Sequence, residues 1–60
     1  MIANYIVHFR EPWQDAPMTG YFNRWVYNED EAVQNQVYYE MKYKELYKDE
    51  FATVELVSVS

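Results

Sequence analysis

Few residues in this 60-residue chain have side chains able to do acid–base or nucleophilic chemistry. His8 is the only imidazole, and there is no cysteine. A histidine can serve as a general base or as a pH-sensitive group. The available hydroxyl nucleophiles are Thr19, Thr53, Ser58 and Ser60. No nucleophile and base form a recognisable pair, so we interpret His8 as a structural or surface histidine and do not expect an enzyme.

Metal ligands are equally sparse. Apart from His8 they are carboxylates, and the acidic pairs Asp30/Glu31 and Asp49/Glu50 lack the alternating spacing of a calcium-binding loop. With one imidazole and no thiolate, the sequence predicts neither a metal site nor a cofactor.

Acidic residues outnumber basic residues by ten to five, which gives a formal net charge of -5. Binding to duplex DNA requires clustered lysine and arginine, so this balance favours a protein partner. The densest acidic run, residues 29–31, either stabilises the start of a helix or imitates the phosphates of DNA. In the mimicry interpretation, the phosphate substitutes are Glu29, Asp30, Glu31, Asp49, Glu50 and Glu55.

Aromatic residues are abundant: seven Tyr, three Phe and two Trp. A domain this small cannot bury so many large rings, so some must face a partner. Trp13, between Pro12 and Pro17, is either a lid folded over an open edge of the sheet, which we favour, or an exposed anchor for a partner. Residues 22–27 place aromatic residues next to a basic one, as in a stacking platform for single-stranded nucleic acid. The net acidity of the chain disfavours this interpretation.

The chain predicts one α+β domain over residues 1–60, with the order β-β-α-β. Strands are expected at residues 1–10, 20–27 and 51–59, because β-branched and aromatic residues dominate there. Both prolines lie in a predicted loop at residues 11–20. Asn28 is the expected helix cap, and the helix should run to about Lys48. A right-handed crossover gives a three-stranded antiparallel sheet in the order 2-1-3, covered by one helix.

The helix carries two apolar stripes at about 100° per residue. The first comprises Ala32, Tyr39, Tyr43, Leu46 and Tyr47, and the second comprises Val33, Val37 and Met41. The first stripe should pack on the sheet. The second either contacts another subunit or belongs to one wide buried arc, whose edge is covered by the aliphatic stems of Glu40 and Lys44.

The small size of the chain favours self-association. A 60-residue domain is near the lower limit for independent folding, and here neither disulfides nor a metal can supplement the core. We therefore expect a homodimer. No apolar run approaches the roughly 18 residues needed to cross a bilayer, so a soluble, cytoplasmic protein is expected.

In size and composition, as a small, acidic, cysteine-free chain crowded with aromatic residues, the sequence resembles the small phage-encoded proteins that inhibit host enzymes or defence systems. The resemblance implies a non-catalytic inhibitor in the host cytoplasm that occupies a protein surface, often as a dimer. The candidate partner-binding residues are Trp13, Val37, Tyr38 and Met41. The alternatives are a DNA-mimic inhibitor of a nucleic-acid enzyme and a small single-stranded nucleic-acid binding module.

Overall fold

Three strands and one helix account for most of the chain. The computed structural model describes all 60 residues and contains β1 (Ile2–Phe9), β2 (Met18–Trp25), α1 (Glu29–Tyr47) and β3 (Thr53–Val59). The strands form one antiparallel sheet in the order β2-β1-β3, with β1 in the centre. The predicted α+β class, element order and sheet order are confirmed.

The second strand begins earlier than predicted. It starts at Met18, so Gly20 lies inside the strand instead of at its first residue. Gly20 pairs with Val7 of β1, and a Cβ at this position would lie 3.2 Å from the Val7 Cγ1 atom. Its φ is not positive. Glycine therefore allows close packing inside the sheet here and does not mark a turn.

The helix begins at the predicted cap. The Asn28 Oδ1 atom accepts a hydrogen bond from the Glu31 N–H at 2.8 Å. The Glu31 carboxylate reaches back to the N–H of Tyr27 at 3.2 Å, one residue before the N–H expected of a capping box. At the other end, Lys48 adopts the left-handed conformation (φ 52°) and its N–H bonds to the Lys44 carbonyl. Both helix limits agree with the sequence prediction.

Replacing Asn28 by alanine should lower the free energy of unfolding by about 1 kcal/mol, because it removes the acceptor for the Glu31 amide. Asn28→Asp retains that acceptor and is the matched control. Chemical denaturation at neutral pH measures both variants. Equal stability of Asn28→Ala and the unmodified chain would contradict this role of the cap.

The inner side of the helix packs on β1 and β3. Ala32 is fully buried, while Tyr39, Tyr43 and Tyr47 are half-buried. Leu46, predicted to belong to this stripe, is 71% exposed, so that prediction is wrong. Phe9 stacks on Tyr47 with ring centroids 4.3 Å apart. Phe9 thus occupies this end of the helix–sheet interface, and Leu46 lies at the side of that interface.

The core is small and centres on Tyr5. Seven residues are buried, and three of them are alanines; the set is Ala3, Tyr5, Val7, Val26, Ala32, Ala52 and Val54. The Tyr5 ring stacks on Phe22 at 5.1 Å and meets Tyr39 edge-on at 5.6 Å. Its hydroxyl donates to the Ala32 carbonyl at 2.7 Å. One side chain thus ties the first turn of the helix to the central strand.

A β-bulge in β3 moves its last apolar residue to the helix side of the sheet. Leu56 pairs with Tyr5 and Ser58 pairs with Asn4, so Val57 is the extra residue between two paired positions. Strict alternation would place Val59 on the face away from the helix. The bulge instead opposes Val59 to Ala3 and packs it against the core.

Helix α1 lacks the length of apolar sequence that crossing a bilayer requires.

Candidate protein interaction surface

The helix covers one face of the sheet and leaves the other uncovered. We call the uncovered side the open face. Strand alternation and the register place eleven strand positions on it, and the bulge adds Val57. They are Ile2, Asn4, Ile6 and His8 of β1, Thr19, Tyr21, Asn23 and Trp25 of β2, and Thr53, Glu55, Val57 and Ser58 of β3.

Large aromatic side chains stand on this face. Tyr21 is 78% exposed and Trp25 is 59% exposed. Tyr27, just beyond β2, is 77% exposed and meets Trp25 edge-on at 4.5 Å. Tyr21 and Val57 border a shallow depression of about 210 Å³ that also includes Asn4. The open face therefore offers exposed aromatic side chains with phenol and indole groups able to form hydrogen bonds.

The charges on the open face are sparse. Among its strand positions Glu55 is the only carboxylate, and none is a lysine or arginine. Arg24, next to Trp25 in sequence, points to the helix side and lies over the rings of Phe22 (5.1 Å) and Tyr39 (5.6 Å). Trp25 and Tyr27 thus lie on the opposite face from Arg24, the only basic residue of segment 22–27. This arrangement does not suit a platform that must neutralise phosphates.

The sheet register brings two polar pairs together on the open face. The His8 Nδ1 and Thr19 Oγ1 atoms are 3.1 Å apart, and the Asn4 side chain donates to the Ser58 hydroxyl at 3.2 Å. Both are cross-strand neighbours on adjacent strands. His8 is half-buried. Its contact is of the kind expected for the surface histidine inferred from the sequence.

Tyr5 is the titratable group with a perturbed pKa. Burial raises the pKa of its phenol above 10.0, and the neighbouring Tyr39 and Glu31 raise it further. The hydroxyl also donates to a carbonyl, which requires the neutral form. Tyr5 therefore acts as a neutral structural anchor.

Trp13 does not cover the core. It is 76% exposed and lies in the loop between β1 and β2, so the lid interpretation is wrong. The Arg10 N–H donates to the Asp49 carboxylate at 2.8 Å, which holds the start of this loop near the helix C-terminus. Trp13 consequently borders an open cleft of about 450 Å³ with Leu46 and Tyr47.

The other predicted contact residues lie on the outer side of the helix. We call these exposed residues, together with their neighbour Val33, the outer helix patch: Val33, Val37, Tyr38 and Met41. Their exposure contradicts a single wide buried arc and agrees with two separate stripes. Leu46, beside Trp13, lies about 140° around the helix from Met41. Trp13 and the outer helix patch therefore belong to different surfaces.

The six acidic candidates for DNA mimicry are dispersed. Glu31 is bound in the helix cap. Asp49 accepts hydrogen bonds from the N–H groups of Arg10 and Phe51, at 2.8 and 3.0 Å. The remaining four lie in three places: Glu29 and Asp30 at the helix start, Glu50 beyond its end and Glu55 on the open face. A 19-residue helix is about 28 Å long, so these groups form no single row.

Comparison with protein-family models, curated proteins and solved structures found no match.

Proposed function

We propose that this protein is a non-catalytic binding protein that places its open face against another protein and blocks that protein's surface. Small phage-encoded inhibitors of host enzymes and defence systems act in this way. The observation that supports the proposal is the exposure of Tyr21, Trp25 and Tyr27 together on the uncovered side of the sheet.

The physical properties of tyrosine and tryptophan side chains support this proposal. Tyrosine and tryptophan bring large, stiff contact areas into an interface and lose little conformational entropy when they are fixed. They are also enriched among the residues that dominate binding energy. The edge-on contact between Trp25 and Tyr27 holds both rings in place before a partner arrives.

Charge favours a protein as the target. The strand positions of the open face include Glu55 and neither lysine nor arginine, in a molecule of net charge -5. Nucleic acid would be repelled by this charge. Because two of the six mimicry candidates already bind backbone amides, the acidic residues also support DNA mimicry less well than the aromatic residues support docking.

Site-specific photo-crosslinking tests the proposal. A benzophenone amino acid is placed at Tyr21 on the open face, at Tyr38 in the outer helix patch or at Trp13 in the loop. All three positions are exposed, so the label should not disturb the fold. Each protein is incubated with host lysate and irradiated, and the saturable adduct is identified by mass spectrometry.

The label at Tyr21 should give the specific adduct, whereas the labels at Tyr38 and Trp13 should not. Competition by excess unlabelled protein should remove that adduct. Binding should also change little between low and moderate salt, since aromatic contacts are not screened. Adducts from Tyr38 or Trp13 alone would place the contact elsewhere. A steep loss of binding with salt would favour DNA mimicry.

A further inference from the structure

The two edges of the sheet differ in whether side chains bind their outward backbone N–H groups. On the outer edge of β3, the Val54 N–H donates to the Glu40 carboxylate at 3.1 Å and the Leu56 N–H donates to the Gln36 amide oxygen at 2.8 Å. Both acceptors come from α1, which packs beside this strand. Side chains of the helix therefore occupy the donors through which another strand would pair.

The outer edge of β2 has no such cover. Met1 and Val26 exchange backbone hydrogen bonds. Because hydrogen-bonded pairs recur at every second residue of an antiparallel ladder, the N–H and C=O groups of the even-numbered residues of β2 point toward β1. The odd-numbered residues point their N–H and C=O groups away from the sheet; they are Thr19, Tyr21, Asn23 and Trp25. Among these groups only the Asn23 carbonyl has a partner, the Arg24 guanidinium at 2.6 Å.

The sequence of β2 also lacks the usual barriers to edge pairing. It contains no proline, and Arg24 is its only charged residue. No acidic residue occurs between Asp15 and Glu29, although the chain has ten. Two copies that meet at β2 thus keep their negative charges away from the contact.

We propose that two copies of this chain pair antiparallel through their β2 edges. The product is a continuous six-stranded sheet in the order β3-β1-β2-β2-β1-β3, with both helices on the same side. This inference goes beyond target binding and does not depend on it.

The backbone donors and acceptors determine which residues of the two β2 strands face each other. With Phe22 at the two-fold axis, Tyr21 faces Asn23 of the second copy and Thr19 faces Trp25, so every outward N–H finds a carbonyl. The Asn23 carbonyl, already bonded to the Arg24 guanidinium, accepts with its second lone pair. A register centred on Tyr21 would place Trp25 opposite Pro17, which has no N–H. A register centred on Asn23 would place Thr19 opposite Tyr27, whose N–H is already donated to Glu31.

Side chains suit the same register. Arg24 would face Gly20 of the second copy, which leaves room for the guanidinium over Phe22. The two Phe22 rings would meet across the axis on the helix side. On the other side, Tyr21 and Trp25 of both copies would join into one aromatic surface. The proposed contact surface is therefore doubled and made continuous by pairing.

Amide hydrogen exchange in the unmodified protein tests the proposal directly. It is followed by NMR at low micromolar and at millimolar protein concentration, with sedimentation reporting the mass. The mass should rise from 7.4 kDa to twice that value. The Tyr21 and Asn23 amides, which are free in the monomer, should then exchange at least about tenfold more slowly. Amides of the outer helix patch, already bonded within α1, should show no comparable change.

Asn23→Pro provides the matched perturbation, because the Asn23 N–H points away from β1 and its loss removes no bond within the chain. This variant should raise the dimer dissociation constant at least about tenfold, while Asn23→Thr should not. If Asn23→Pro does not fold, a synthetic chain with N-methylated Asn23 makes the same comparison.

Either of two results would overturn the proposal. One is a 7.4 kDa species at millimolar concentration. The other is a dimer in which the Tyr21 and Asn23 amides still exchange as fast as in the monomer, since that dimer would use another surface.

Discussion

Trp25→Ala should weaken target binding by about 2 kcal/mol or more, which is roughly thirtyfold in affinity. Trp25 offers the largest side chain on the open face, and Tyr27 holds its ring in place. Combining it with Tyr21→Ala should bring binding below detection, because the loss then extends across the aromatic surface. Titration calorimetry with the crosslinked target, produced in pure form, measures these affinities.

The matched control is Trp13→Ala, which removes an equally large exposed ring from the loop. It should change affinity less than threefold, an amount that corresponds to roughly 0.6 kcal/mol. Glu29→Gln removes one charge at the helix start and should be neutral too. If Trp13→Ala abolishes binding and Trp25→Ala is harmless, the contact lies beside the helix C-terminus. Thermal melts of each variant separate loss of contact from loss of fold.

Tyr5→Ala should unfold most of the protein. Truncating a large buried aromatic side chain costs about 3–5 kcal/mol. A 60-residue domain has a total stability of only about 3–9 kcal/mol. Tyr5 packs against Phe22 and Tyr39 and also binds the Ala32 carbonyl, so no neighbour can replace it. Circular dichroism and urea titration report the outcome; a cooperative transition with near-normal midpoint would contradict the central position of this ring.

Tyr5→Phe separates the hydroxyl from the ring. It should reduce stability by about 1–2 kcal/mol, because the buried Ala32 carbonyl loses its donor. The two chains should also differ in alkaline solution. Burial raises the pKa of the Tyr5 phenol in the folded state above 10.0, so the stability from its neutral form is complete below pH 10. That stability falls as pH rises toward the folded pKa. Tyr5→Phe should lack this part of the alkaline loss.

The sequence carried enough local information to predict the framework. Asn28, followed by three acidic residues, identified the helix start, and Lys48 identified its end. The crossover rule placed the first strand in the centre of the sheet, as observed for β1. These signals depend on neighbours in sequence and on the handedness of one crossover, which are largely independent of packing detail.

Predictions that depended on tertiary packing were less successful. Gly20 was predicted as the last residue of the loop and the first of the second strand, yet it lies inside β2 and leaves space beside Val7. Leu46 fits the buried stripe by periodicity, but Phe9 fills that end of the interface. Trp13 is exposed because its loop is held at the helix C-terminus. In each case the deciding contact joins residues far apart in sequence.

The candidate interaction surface was readable in part. A three-stranded sheet with a single helix must leave one face uncovered, and the alternation of β2 already grouped Tyr21 with Trp25. What the sequence did not show was which face the helix covers. The protection of one sheet edge by Gln36 and Glu40 was equally hidden, because Glu40 also fits an ordinary surface pair with Lys44, which is formed at 3.9 Å.

The most direct test of the open face as the contact surface compares its tryptophan with the one in the loop. Trp13→Phe leaves Trp25 as the only tryptophan, and Trp25→Phe leaves Trp13. Acrylamide quenching is measured for each protein, free and saturated with the crosslinked target. We expect binding to shield Trp25 from acrylamide and to shift its emission to the blue, while Trp13 stays as accessible as before. Shielding of Trp13 with an unchanged Trp25 would contradict contact through the open face.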